Sequence, residues 1–188
     1  GLLEREKIIT STLHHANRHR VVMLKGAIGI GKTALLETVA DRLDAKNKIP
    51  VLFIYHTTPY KQFLLDILYQ LHKREILPED IAGEEWEDLY KIYKRENASK
   101  SLSIIYTVFK AHPELTLCVD NIDQATLHGL NLFRQLLSAA NPPRLICTCT
   151  TQTRLQYLVW QAEIITIPPL SKAACYQIVD DYIIEQGL

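Results

Sequence analysis

The chain has 188 residues, 47% of them apolar and 22% charged, with Lys+Arg and Asp+Glu balanced at 21 each. That composition belongs to one globular domain long enough to bury a substantial core, and its neutral balance gives no global field that would favour nucleic acid or an anionic membrane as partner. No apolar run reaches the roughly 20 residues needed to cross a bilayer, and no signal-peptide pattern opens the chain, so no membrane partner is expected. The four cysteines, which read as reduced core thiols, point to a cytoplasmic or nuclear protein.

In chain order, Leu2 to Ala16 reads as a helix with Leu3, Ile8, Ile9 and Leu13 on one side. His14, His15, Arg18, His19 and Arg20 follow as a solvated cluster without the spacing of a metal site. Val21-Val22-Met23-Leu24 is a short buried strand, and Ala34, Leu35, Leu36, Val39 and Leu43 mark the amphipathic helix beyond it. Between them lies Gly26-Ala27-Ile28-Gly29-Ile30-Gly31-Lys32-Thr33, a full G-x-x-x-x-G-K-[ST] phosphate-binding loop in its strand-loop-helix setting. The glycines let successive N–H groups turn inward around a phosphate. Lys32 reaches the β- and γ-phosphates as a point charge, the Thr33 hydroxyl takes a place in the Mg²⁺ shell, and the helix beginning around Ala34 points its positive end at the same anion.

Asn47 to Pro50 breaks the chain before a continuous apolar strand, Val51 to Tyr55. Thr57-Thr58-Pro59 opens a helix bearing Phe63, Leu64, Ile67, Leu68 and Leu71. After Leu77-Pro78-Glu79-Asp80, a charged helix from Glu84 to Lys94 carries Trp86, Leu89, Tyr90 and Tyr93, aromatics spaced as core residues. Ser99 or Ser101 caps the next helix, with Leu102, Ile105, Val108 and Phe109. The third strand, Leu115 to Asp120, ends on a carboxylate, the position from which an Asp orients Mg²⁺ in a Walker B segment, although Asp also begins turns. Asn121 stands where many hydrolysing relatives carry a Glu that polarises the attacking water; an Asn can hold that water but cannot take its proton. Asp123 is the nearest other carboxylate.

Leu127 to Ala140 is helical, Asn141-Pro142-Pro143 breaks it, and Arg144 to Thr150 forms a fourth strand. Thr150 and Thr151 at its end are candidates for sensing the γ-phosphate. Arg154 reads either as an arginine finger or as a solvated helix residue. A short helix, Leu155 to Trp160, leads to a fifth strand, Glu163 to Ile167, closed by Pro168-Pro169-Leu170-Ser171, where Ser171 caps a last helix. Strands alternating with helices predict a parallel sheet covered on both faces. Cys118, Cys147, Cys149 and Cys175 lie in apolar stretches and read as reduced core thiols, with Cys147 and Cys149 on one face of a strand. A start at Gly1 and an end at Gly187-Leu188, just after a helix, read as a segment of a longer protein.

Taken together, these residues resemble the additional-strand P-loop ATPases, the AAA+ proteins and their STAND relatives. The resemblance rests on Gly1-Leu2-Leu3-Glu4-Arg5-Glu6, the loop at 26–33, Asp120-Asn121-Ile122-Asp123, the threonine-rich strand end and Pro169-Leu170-Ser171, which follow in the family's order. It implies a three-layer P-loop NTPase core over residues 1–170, with a five-stranded parallel sheet in the order 5-1-4-3-2, and over 171–188 the first helix of a lid or following domain. It also implies ATP/ADP and Mg²⁺ as cofactors, with Leu2, Leu3, Pro169 and Leu170 near the adenine. No Asn-Lys-x-Asp guanine-reading segment is present.

The leading functional expectation is a slow ATPase switch that sets the packing or assembly of attached domains or partner proteins, slow because Asn121 follows the Walker B Asp. A DNA-associated AAA+ ATPase, which the net charge does not support, and a STAND signalling scaffold with little turnover are the alternatives.

Overall fold

The computed structural model describes residues 2–47, 50–169 and 180–187. Five strands alternate with helices: β1 (Val21–Lys25), β2 (Val51–Ile54), β3 (Thr116–Val119), β4 (Arg144–Cys149) and β5 (Ala162–Thr166). They form a parallel sheet in the order β2-β3-β4-β1-β5, the expected 5-1-4-3-2 read from the other edge. Helix α1 (Leu2–Ala16) precedes β1, and α2 (Lys32–Asn47) joins β1 to β2. Between β2 and β3 run α3 (Tyr60–Lys73), α4 (Glu79–Ala82), α5 (Trp86–Arg95) and α6 (Ala98–Ala111). A 3₁₀ turn (Ile122–Gln124) and α7 (Leu127–Leu137) lead to β4, and α8 (Gln156–Val159) to β5.

The apolar runs of β1 to β4 are long because both faces of these strands are covered, whereas the edge strand β5 is only half-buried. Side chains alternate across a strand, so Val21 and Met23 enter one core with Leu52, Ile54, Leu117, Val119, Leu145 and Cys147. Helices α3, α5, α6 and α7 cover that face through residues such as Phe63, Leu89, Ile105 and Phe133, and the Phe63 and Phe133 rings lie 5.7 Å apart. Val22, Leu24, Cys118 and Ile146 point the other way, into a second core closed by Ile9 and Ala16 of α1 and Leu35, Leu36, Val39 and Leu43 of α2.

The β2 edge is blunted by side chains. Gln70 of α3 accepts from the Phe53 amide at 2.9 Å and donates Nε2 to its carbonyl at 2.8 Å, while Arg74 Nη2 donates to the Val51 carbonyl at 2.7 Å. Backbone groups that would otherwise template another strand are thereby occupied.

Several local expectations change. Asn97, rather than Ser99 or Ser101, caps α6: its side chain accepts from the Ser99 amide, and Ser101 is buried inside the helix. Helix α3 starts after Pro59 with no side-chain cap. Helix α7 ends at Leu137, and the 3₁₀ turn and α4 are additional elements. Leu3 faces solvent, 80% exposed, because α1 is buried through Ile9 and Ala16 instead. Residues 180–185 are helical, whereas Ser171 and the start of the last helix lie outside the described residues.

Cys118, Cys147 and Cys149 are free, buried thiols. Cys147 and Cys149 share the first core and Cys118 lies in the second. Burial pushes Cys118 up to about 12 and Cys149 up to about 11, and raises Cys147 well above the ordinary thiol range. Because the thiolate is the reactive species, a disulfide reagent at mildly alkaline pH should label no more than one of the four cysteines in the native protein and all four after denaturation. Rapid native labelling of two or more would contradict this packing.

Candidate functional site

The parallel register brings the carboxyl ends of β1, β3 and β4 side by side. Leu24 pairs with Thr148, Lys25 with Cys149, and Val119 with Cys147. Chain segments leaving these strands therefore converge on one edge of the sheet, the usual place for ligand sites in α/β proteins.

The glycine loop leaves β1 with Gly26, whose amide donates to the Cys149 carbonyl at 3.1 Å. Gly29 and Gly31 have φ of +79° and +89°, a region that a Cβ disfavours. A Cβ on Gly26 would come within 3.1 Å of Ile30 Cγ2 and 3.2 Å of Ile167 Cβ, so the loop is pressed against the residue that follows β5. Ala27 and Ile28 are exposed at the tip, Ile30 is half-buried, and Ala34 lies on the exposed side of α2.

Lys32, the first residue of α2, is only 6% exposed. Its Nζ donates to the Gly26 and Ala27 carbonyls, both at 2.8 Å, and to Thr150 Oγ1 at 3.3 Å. Asp120, 4% exposed, is the other centre. Its Oδ2 accepts from Thr33 Oγ1 at 2.6 Å and Asn121 Nδ2 at 3.3 Å, and its Oδ1 accepts from Thr148 Oγ1 at 2.5 Å. The Asn121 amide closes the set by donating to Thr148 Oγ1 at 2.8 Å.

Lys32 and Thr150 thus pair beside the glycine loop, and Thr33, Asp120 and Asn121 meet in a separate hydrogen-bonded set centred on Asp120. Thr148 belongs to it although only Thr150 and Thr151 were singled out from the sequence. Its signal is a hydroxyl inside an apolar strand, and the register that sets it beside Asp120 is tertiary. Thr151 is exposed and pairs with Thr153 Oγ1 at 2.9 Å.

Asp123 faces the end of β4, with Oδ2 accepting from the Thr150 and Thr151 amides at 3.3 and 3.2 Å. Its Oδ1 is buried without a hydrogen-bond partner. Arg154 folds back onto the 3₁₀ turn, donating to the Asp123 carbonyl at 3.3 Å and the Ala125 carbonyl at 3.1 Å. Arg5 of α1 also approaches the loop: its Nη2 would lie 3.8 Å from a Cβ on Gly31. Pro169 and Leu3 are surface residues, and Leu170 and the Leu2 side chain lie outside the described residues.

A glycine loop at the end of a central parallel strand, a Lys-Thr pair opening the next helix and an Asp closing the strand two places away define the core of a P-loop ATPase. The family model "AAA ATPase domain" matches residues 2–147, and the chain belongs to that family. Among solved structures it resembles C. elegans PCH-2, at 16% identity and a TM-score of 0.54, over 97% of this chain and 48% of that one. AMPPCP-bound DnaA from Aquifex aeolicus matches at 13% identity and a TM-score of 0.55, over 97% of this chain and 51% of that one. Domain III of the Thermotoga maritima replication initiation protein DnaA matches at 14% identity and a TM-score of 0.55, over 96% and 68% of the two chains. These likenesses are of fold, and the chain spans about half the length of the first two. Comparison with curated proteins gives no match. Among the described residues, no helix is long and apolar enough to cross a membrane.

Asn121 has a conformational reason to be where it is. Its φ of +49° and ψ of +52° are left-handed, a region that Asn tolerates and most side chains enter at a cost of about 1–2 kcal/mol. Asn121→Glu is therefore expected to lower unfolding stability by about 1 kcal/mol, while Asn121→Gly stays close to wild type. Chemical denaturation compares the two, and equal stability of the Glu and Gly variants would contradict the left-handed assignment.

Proposed function

We propose that this domain binds ATP·Mg²⁺ and acts as a slow ATPase switch that controls the conformation or assembly of the protein containing it. The observation that carries the reading is the buried Asp120 carboxylate, which holds the hydroxyls of Thr148 and of Thr33, the chain neighbour of the loop's buried Lys32, and is followed by Asn121, not a free carboxylate.

The residues have the chemistry for both ligands. Lys32 already holds its ammonium against the loop's carbonyls, and exchanging those bonds for phosphate oxygens keeps its donors satisfied. The first amides of α2 and the loop glycines supply further donors for an anion. The Thr33 hydroxyl and Asp120 carboxylate, 2.6 Å apart, are a pair of hard oxygen donors suited to Mg²⁺, which prefers few protein ligands and retains water. Mg²⁺ would neutralise phosphate charge there. That DnaA is AMPPCP-bound in a structure of the same fold supports reading the loop as a phosphate site here.

Slow turnover follows from what lies near Asp120. Asn121 cannot accept a proton from water, and of the Asp123 carboxylate Oδ2 is committed to the Thr150 and Thr151 amides while Oδ1, unpartnered, is buried away from solvent. Thr150, bonded to Lys32, is the candidate sensor: a change in the ammonium's partners reaches the end of β4 directly. Leu2, Leu3, Pro169 and Leu170 are proposed to flank the base, supported by the close packing of Gly26 against Ile167, two residues before Pro169. Residues 1–170 would be the nucleotide-binding core, and 171–188 the beginning of a lid.

Lys32→Ala should weaken binding of a fluorescent ATP analogue roughly 10–100-fold, the loss of a charge-assisted bond of about 1.5–3 kcal/mol. Asp120→Asn should retain most metal-free binding and lose the gain that Mg²⁺ gives. An unchanged affinity in Lys32→Ala would overturn the phosphate-site reading. Steady-state phosphate release should fall well below the median enzymatic rate of about 10 s⁻¹, and turnover at or above that rate would overturn the switch.

A further inference from the structure

We propose that His15, His19 and Glu163 form a binding site for a divalent transition-metal ion of the Zn²⁺ type, which clamps the end of α1 to the edge strand β5. The site lies in the second layer of the molecule and shares none of the P-loop residues.

Its geometry is built by backbone. After Ala16 the chain keeps one more helical turn, with the His19 amide donating to the His15 carbonyl at 2.8 Å. That i,i+4 bond sets the two imidazoles side by side on one side of the turn, ring centroids 5.8 Å apart and planes tilted by 43°. On the facing element, Glu163 pairs in register with Val22. Residues paired across a sheet share a face, and Val22 belongs to the core closed by α1 and α2. Glu163 is thus presented to α1 and its histidines.

His15 Nδ1 lies 3.9 Å from Glu163 Oε1, and His19 Nε2 lies 3.8 Å from Glu163 Oε2. The ligand atoms of the three residues all lie within 4.8 Å of one another. These separations are too long for hydrogen bonds, and His15 Nδ1 is buried with no hydrogen-bond partner. A Zn²⁺ ion with bonds of about 2.0–2.1 Å needs donors roughly 3.4 Å apart in a tetrahedron, so binding draws the set together. The two His–Glu distances, which end on different carboxylate oxygens, shorten by about half an ångström if Glu163 binds the ion through both, and the remaining separations close from within 4.8 Å. Two imidazoles and a carboxylate suit Zn²⁺ better than Mg²⁺ or Ca²⁺, which seek oxygen alone. All three side chains are partly exposed, leaving a path for the ion and a position for water. Histidine spacing alone did not reveal this site, because its third donor comes from a strand formed near the other end of the chain.

The test is Zn²⁺ uptake by tag-free, chelator-stripped protein near neutral pH, read by competition with a chromophoric chelator and by the Co²⁺ absorption spectrum. A single equivalent should bind with micromolar or tighter affinity and raise the unfolding temperature. His15→Ala, His19→Ala and Glu163→Gln should each weaken uptake at least about ten-fold, while His14→Ala, next door on the exposed side of α1, should bind as wild type does. Circular dichroism of the metal-free variants establishes that each is folded; Glu163→Gln keeps the side chain's shape and serves if a histidine variant unfolds. No uptake by the wild type at micromolar Zn²⁺, or undiminished uptake by Glu163→Gln, overturns the proposal.

Discussion

A buried carboxylate must be surrounded by donors, because its desolvation is otherwise too costly for a folded domain to sustain. Asp120 is that carboxylate, and the donors it collects come from separate parts of the chain: Thr33 from the start of α2, Thr148 from β4, and Asn121 from the turn after β3. Its own amide donates to Ile54 of β2 at 2.9 Å. One side chain and its amide thus tie two neighbouring strands and the loop helix together at the ligand-facing end of the sheet. Packing on the two faces places the strands, and Asp120 decides how their ends are joined.

The same economy governs the rest of that end. Lys32 donates to loop carbonyls and Thr150, Asp123 receives two amides of the β4 turn, and Arg154 donates to two carbonyls of the 3₁₀ turn. A ligand arriving here exchanges internal hydrogen bonds for its own rather than filling an inert cleft. Such an exchange is well suited to switching, since every bond transferred to the ligand is one released from a neighbouring element. Asn121 joins the two themes: its left-handed backbone shapes the turn, and its amide side chain keeps a proton acceptor out of that position.

The architecture was largely legible because its signals are local. Alternating apolar strands and amphipathic helices predict a sheet with two dry faces, and both cores form as that pattern requires. The strand order entered through the resemblance carried by the loop and the motifs after it, and the sheet has that order. Cap positions were less legible, because Asn97, Ser99 and Ser101 are all chemically capable caps and only the turn preceding α6 selects Asn97. Leu3 misled for a related reason: apolar residues can occupy the surface of a helix without cost enough to forbid it.

What the sequence determined alone was the chemistry of the loop, since G-x-x-x-x-G-K-T specifies backbone freedom, a cation and a hydroxyl at adjacent positions of one short segment. It also determined that a carboxylate would end the third strand. Which groups that carboxylate meets was decided by parallel register, which places Thr148 rather than Thr151 beside Asp120. The same register brings Glu163 opposite His15 and His19, groups that the chain holds far apart. Local spacing encodes what a segment can do, but contacts between distant segments exist only once strand pairing has chosen which side chains share a face.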